Sequence, residues 1–151
     1  MQNETIYRWY EQYKVGLFRF ALSILKDSHL AEDALQEAFV RLMHQNRLPD
    51  SENVQAWLYR VVRNLCYDLL RKQKRETGEV SMTAPATDGN WEFIELISPL
   101  SQKDQEILAL RFIGGFSHKE IAGILKMTTH STKKRYERAI QTLRKEMEVS
   151  I

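Results

Sequence analysis

Apolar side chains recur along this chain at intervals of three and four, and the rhythm is interrupted at a few polar breaks. Between residues 5 and 25, Tyr10, Tyr13, Leu17, Phe20, Ala21, Ile24 and Leu25 form a first stripe, the signature of an amphipathic helix. Asp27 and Ser28 then offer caps. A second stripe holds Leu30, Ala34, Leu35, Ala38, Phe39, Leu42 and Met43, with Glu32 and Asp33 expected near the helix's positive N-terminal end. Residues 46–53 stop that helix, because Pro49 disfavours helix at Leu48 and Asn53 can cap the next one. The third helix is expected from residue 54 to about 75, with Trp57, Leu58, Val61, Val62, Leu65, Cys66, Leu69 and Leu70 inward and a basic face outward.

Three such helices with short connections make an antiparallel bundle of about 75 residues, in which Trp57 is expected in the core. Residues 77–90 then contain no Lys or Arg, little bulk, one Pro and two Gly, the composition of a flexible linker. Beyond it, residues 91–97 suit a short helix that breaks before Pro99. Ser101 and Asp104 fit a capping pattern for a helix through Ile107, Leu108, Leu110, Arg111 and Phe112, which Gly114 and Gly115 end. Ser117 and Glu120 form a capping box that opens a short helix to Leu125, and after a turn at 126–128 the last helix runs to about residue 148. No segment alternates with the period of a strand. The chain reads as all-α, with a helical bundle at 1–76, a linker at 77–90 and a second helical domain at 91–151.

Charge changes this picture. The formal net charge is only +2, yet residues 54–75 hold six Lys/Arg against one Asp, and residues 126–145 hold seven against one Glu. Those two segments carry +11 together, which leaves −9 for the rest. Clustered cations of this kind suit two contacts with a polyanion, although two solvated helix faces would have the same composition. The short helix ending at Leu125, the tight turn and the basic last helix have the spacing of a helix-turn-helix. With Thr128 as cap, Ser131, Lys133, Lys134, Arg135 and Arg138 lie in position to meet bases or phosphates, while Thr132, Tyr136, Ala139, Ile140 and Leu143 pack inward.

Other chemistry is absent from the pattern. His29, His44, His118 and His130 are scattered without metal-ligand spacing, and there is no Gly-rich phosphate loop, nucleophile elbow or paired-carboxylate arrangement. The single Cys66 falls on an apolar stripe, as an inert core thiol would, and leaves no partner for a disulfide. No enzyme activity, metal or cofactor is expected. The start of the chain lacks the basic and apolar regions of a signal peptide, and no apolar run reaches roughly 18 residues, so a cytoplasmic protein with no membrane insertion is expected. A stand-alone helix-turn-helix regulator, or a helical protein-interaction module, remains open on these grounds.

The run LSQKDQEILALRFIGGFSHKEIAGILKMTTHSTKKRYERAIQTLRKEM resembles the promoter-binding domain of the extracytoplasmic-function (ECF) sigma factors of bacterial RNA polymerase. In the N-terminal half, LAEDALQEAFVRLM is similar to that family's polymerase-binding helix, and WLYRVVRNLCYDLLRKQKR to its promoter-melting helix. The resemblance implies a bundle of the sigma region 2 type and a helix-turn-helix domain of the region 4 type. It implies that Asp33, Leu35, Gln36, Glu37 and Phe39 grip the clamp helices of the polymerase β′ subunit, and that Leu108 and Phe112 sit against the β flap. Asn53, Arg60, Arg63, Asn64, Tyr67, Arg71 and Lys72 would then hold the melted −10 element, and Ser131, Lys133, Lys134, Arg135 and Arg138 would read the −35 duplex. An anti-sigma factor is an implied partner. The chain departs from the family at Lys126 and His130, where glycine is usual, and at Thr132, where a buried Val is common; a positive φ at Lys126 would cost on the order of 1 kcal/mol.

Overall fold

The computed structural model describes residues 2–77 and 90–149, and all the regular structure among them is helical. In chain order the helices are α1 (Gln2–Leu25), α2 (Ser28–Met43), α3 (Val54–Thr77), α4 (Asn90–Ile97), α5 (Gln102–Phe112), α6 (His118–Leu125) and α7 (Thr129–Val149). The chain divides into two compact units, residues 1–85 and 86–151. The expected flexibility of the linker falls on residues that lie, but for its two ends, outside the described ones.

In the first unit α1, α2 and α3 each pack against the other two. Leu17, Phe20, Ala21, Leu42, Leu58, Val62 and Cys66 are wholly removed from water, which confirms the three stripes at their centres. The small Ala31, Ala34 and Ala38 on α2 are buried as well and let the neighbouring helices approach closely. The stripes are less accurate at their edges. Trp57 is only half-buried, whereas Tyr59, expected outside the stripe, is 2% exposed and lies 5.1 Å from the ring of Phe20. Burial, with Tyr13 nearby, pushes the Tyr59 hydroxyl's pKa well up. Met43, expected inside, is 57% exposed at the end of α2, while Ile6 and Trp9 extend the buried face of α1 toward its start.

The caps explain where α1 stops and α2 starts. Lys26 takes a left-handed conformation (φ 53°) and its N–H donates to the Leu22 carbonyl at 2.8 Å. Half-burial of that side chain pushes its ammonium pKa down. Asp27 Oδ1 accepts from the N–H groups of His29 and Leu30 at 2.9 and 3.1 Å. Because α2 begins at Ser28, Glu32 and Asp33 fall in its second turn, beyond the reach of the helix-end charge that was expected to favour them.

In the second unit Ile97, Leu100, Leu108, Ala139 and Leu143 form one core cluster, with Phe93, Tyr136 and Ile140 packed on it. A bend returns the chain from α5 to α6 and tucks Phe116 beneath it, 2% exposed, with its N–H donating to Leu110 O at 3.2 Å. Gly114 is required there, since a Cβ would come within 2.6 Å of the Phe116 ring and 2.9 Å of the Leu110 carbonyl; Gly115 supplies a φ of +73°.

Candidate nucleic-acid and partner-binding surfaces

The helix-turn-helix is built by local chemistry. Ser117 Oγ accepts from Glu120 N–H at 3.1 Å and Glu120 Oε1 accepts from Ser117 N–H at 2.9 Å, the reciprocal capping box that starts α6. Lys126 closes α6 at φ 57°, ψ 50°, the left-handed conformation for which glycine is the usual residue. Thr128 Oγ1 then accepts from Ser131 N–H at 3.1 Å and so caps α7. Thr132 is fully buried, and its hydroxyl is satisfied by donating to the Thr128 carbonyl at 2.9 Å.

With Thr132, Ala139 and Leu143 turned inward, Ser131, Lys133, Lys134 and Arg138 are left exposed on α7. Arg135 is placed differently. Its Nη1 donates to Asp104 Oδ1 at 3.0 Å, which ties α7 to the first turn of α5. The guanidinium is therefore engaged within the protein, while its neighbours carry unobstructed charge on the surface.

On α3 the face opposite the core presents Arg60, Asn64, Arg71 and Lys72 to solvent, with Arg63 and Tyr67 half-buried between them. The Arg63 guanidinium lies 5.0 Å from the centre of the Tyr67 ring, an arrangement that holds a cation and a flat aromatic side by side. Arg71 pairs with Asp68 one turn earlier. Together Arg63, Asn64, Tyr67, Asp68 and Arg71 line an open hollow of about 350 Å³. Asn53 is exposed in the turn that precedes the helix, where the Asp50 carbonyl accepts from the Asn53 and Val54 N–H groups, each at 2.9 Å.

The outer face of α2 carries Asp33, Gln36 and Glu37, all exposed. Gln36 Nε2 donates to Glu32 at 3.3 Å and Glu37 pairs with Arg41 at 3.5 Å. Leu35 and Phe39, expected beside them as contacts, are 3% and 6% exposed, and Phe39 packs edge-on to Tyr10 at 5.1 Å. They hold the face in place from behind. Val40 and Met43 supply the exposed apolar atoms of this helix instead. In the second unit the same split occurs: Leu108 is buried and Phe112 is 58% exposed. Phe112 borders a groove of about 320 Å³ whose other exposed apolar walls are Leu96 and Met147, neither of which the spacing singled out, with the exposed Arg144 also lining it.

Among the described residues no group of three or more His, Cys, Asp or Glu is placed to hold a metal ion, and no helix is long and apolar enough to cross a membrane. Cys66 is a buried free thiol.

Residues 9–76 match Sigma-70 region 2, and residues 91–143 match Sigma-70, region 4. The chain is 32% identical over 152 residues to the ECF RNA polymerase sigma factor SigM of Bacillus subtilis, with 93% of each chain covered. It is 24% identical over 165 residues to SigX of the same organism, covering 97% of this chain and 85% of the relative. Two solved structures share its fold with a TM-score of 0.76: the sigma factor RpoE with the anti-sigma factor NepR from Bartonella quintana, and CnrH with the cytosolic domain of CnrY. The first is 24% identical and covers 95% of this chain and 99% of its own; the second is 22% identical and covers 99% and 91%. The two regions follow one another in the family's order, and the likeness to SigM runs through both, so this chain belongs to the ECF RNA polymerase sigma factors.

Proposed function

We propose that this sigma factor divides promoter recognition and polymerase docking among three surfaces. The exposed cations of α3 hold the melted −10 element, the exposed cations of α7 contact the −35 duplex, and the Asp33, Gln36 and Glu37 face of α2 docks on the clamp helices of β′. Leu35 and Phe39 shape that docking face from beneath it, and Phe112 with its apolar groove receives the β flap, above the buried Leu108. One observation carries the assignment: two basic helices face solvent in two separate units, and those units match regions 2 and 4 in order. A stand-alone helix-turn-helix regulator has no need of the first unit. A protein-interaction module would account for exposed cations on two helices but not for the match of the two units to regions 2 and 4 in order.

Chemistry supports the assignment on α3. Phosphates of a single strand need cations, and an unstacked base needs a flat or amide group; Arg60, Arg71 and Lys72 offer the first, and Asn64 and Tyr67 the second. The sigma factor itself is a transcription initiation factor, and bond making belongs to the polymerase. It works in the cytoplasm with core polymerase and promoter DNA. The similar structure from Bartonella quintana is a sigma factor bound to an anti-sigma factor, which supports a partner of that kind here. The test is transcription from cognate promoters with purified core polymerase. Start-site-specific transcripts that require this protein are expected; duplex binding without any effect on core polymerase would overturn the proposal in favour of a stand-alone regulator.

A further inference from the structure

One group on the outward face of α7 repels what the rest of that face attracts. Helical spacing sets His130, Lys134, Glu137 and Gln141 along one line, and all are exposed on the side away from the buried Thr132, Ala139 and Leu143. Glu137 is the one carboxylate between residues 126 and 145. Lys133 and Lys134 lie one turn before it, yet it forms no ion pair or hydrogen bond among the described residues, whereas Glu11 and Glu37 each pair with a cation one turn away.

A bare carboxylate brought against DNA is repelled by the phosphates, so it weakens binding unless something in the groove donates to it. The major groove offers two such donors, the amino groups of cytosine and adenine. Adenine sets its N7 acceptor beside N6, which opposes a second carboxylate oxygen, while cytosine presents its N4 amino group without an adjacent acceptor on the same base. We infer that Glu137 is a specificity-determining residue, its carboxylate accepting a hydrogen bond from the N4 amino group of one cytosine in the −35 duplex. The inference rests on the reading of α7 as the recognition helix. Lys134 and Gln141, on either side along the line, suit guanine and adenine respectively.

The experiment uses the full-length protein with core polymerase on promoters of fixed −10 sequence, with each −35 position varied through all four bases. Wild-type protein is expected to prefer cytosine at one position on one strand. Glu137→Ala should reduce that preference on the order of tenfold while leaving the other positions unchanged, and binding to non-preferred sequences should hold or rise. Glu137→Gln should move the preference at the same position toward adenine, since an amide both donates and accepts. Both replacements favour helix, so α7 persists in each. A wild-type profile with base preferences but none for cytosine overturns the inference alone. So does a profile that Glu137→Ala shifts by one common factor, because a carboxylate outside the groove acts on every sequence alike. A wild-type profile that is flat at every −35 position overturns the recognition-helix reading together with the inference.

Discussion

Reversing two charges on α2 separates docking from folding. Asp33→Lys with Glu37→Lys leaves the buried Ala34, Leu35, Ala38, Phe39 and Leu42 untouched, so the packing of the bundle is unaltered. The local cost is small. Glu37 and Arg41 are each about half exposed and 3.5 Å apart, and an exposed pair at this spacing contributes about 0.3–0.5 kcal/mol. The reversed charge adds repulsion of similar size against Arg41, while Asp33 lies beyond the first turn and loses little helix-end stabilisation. The sum stays near about 1 kcal/mol. Like charges brought face to face at a docking surface cost several kcal/mol, and about 3 kcal/mol is more than a hundredfold in affinity. Thermal melting followed by circular dichroism should show a cooperative, helical variant, and titration with core polymerase should show binding weakened by about a hundredfold or more. Adding Arg41→Glu restores an ion pair of opposite polarity, and with it the stability, without restoring the original docking charge. If the double variant folds and binds core polymerase like wild type, the assignment of this face is wrong. If Arg41→Glu recovers both stability and transcription, the loss was one of folding and the docking argument fails with it.

Lys126→Gly should raise the stability of the second unit by about 0.5–1 kcal/mol, because relief of about 1–2 kcal/mol of left-handed strain exceeds glycine's added unfolded-state freedom. Lys126→Ala keeps the strain and should stay within about 0.5 kcal/mol of wild type; denaturant midpoints check both. Arg135→Ala should lower the melting temperature through loss of the Asp104 contact, and Asp104→Ala should do so similarly, whereas Lys133→Ala should leave melting unchanged and weaken duplex binding. For Lys133→Ala, Lys134→Ala and Arg138→Ala, plots of binding against salt should each lose about one unit of slope where a phosphate contact is removed, and an unchanged slope in all three would refute their exposure to DNA.

Local rules were legible wherever partner and signal lie within a few residues. The capping box of Ser117 and Glu120, the caps at Asp27, Ser101 and Thr128, and the glycine-dependent exit from α5 are all satisfied within about one helical turn, and the periodicity placed every helix near its observed position. The left-handed Lys126 was implied by the resemblance to a family in which glycine is usual there, and the left-handed Lys26 was signalled by neither the spacing nor the resemblance. The charge of the α3 and α7 faces was legible because a helix's outward side is set by its own repeat.

Burial at the ends and edges of those stripes depends on what covers them. Met43 continues the α2 repeat but is left exposed at the end of the helix, while Tyr59 is buried beside the ring of Phe20 of α1 and Trp57 is only half-buried. Leu35, Phe39 and Leu108 carry side chains suited to docking, yet neighbouring helices already occupy them. Arg135 and Asp104 are 31 residues apart, and no spacing rule announces that an arginine of α7 is held by the first turn of α5. Leu96 and Met147 become groove walls only when α4 and α7 meet around Leu143. Helices, caps and charged faces are properties of short segments and travel with them; which apolar and cationic atoms remain available to a partner is fixed by contacts between segments, and those exist once the chain has packed.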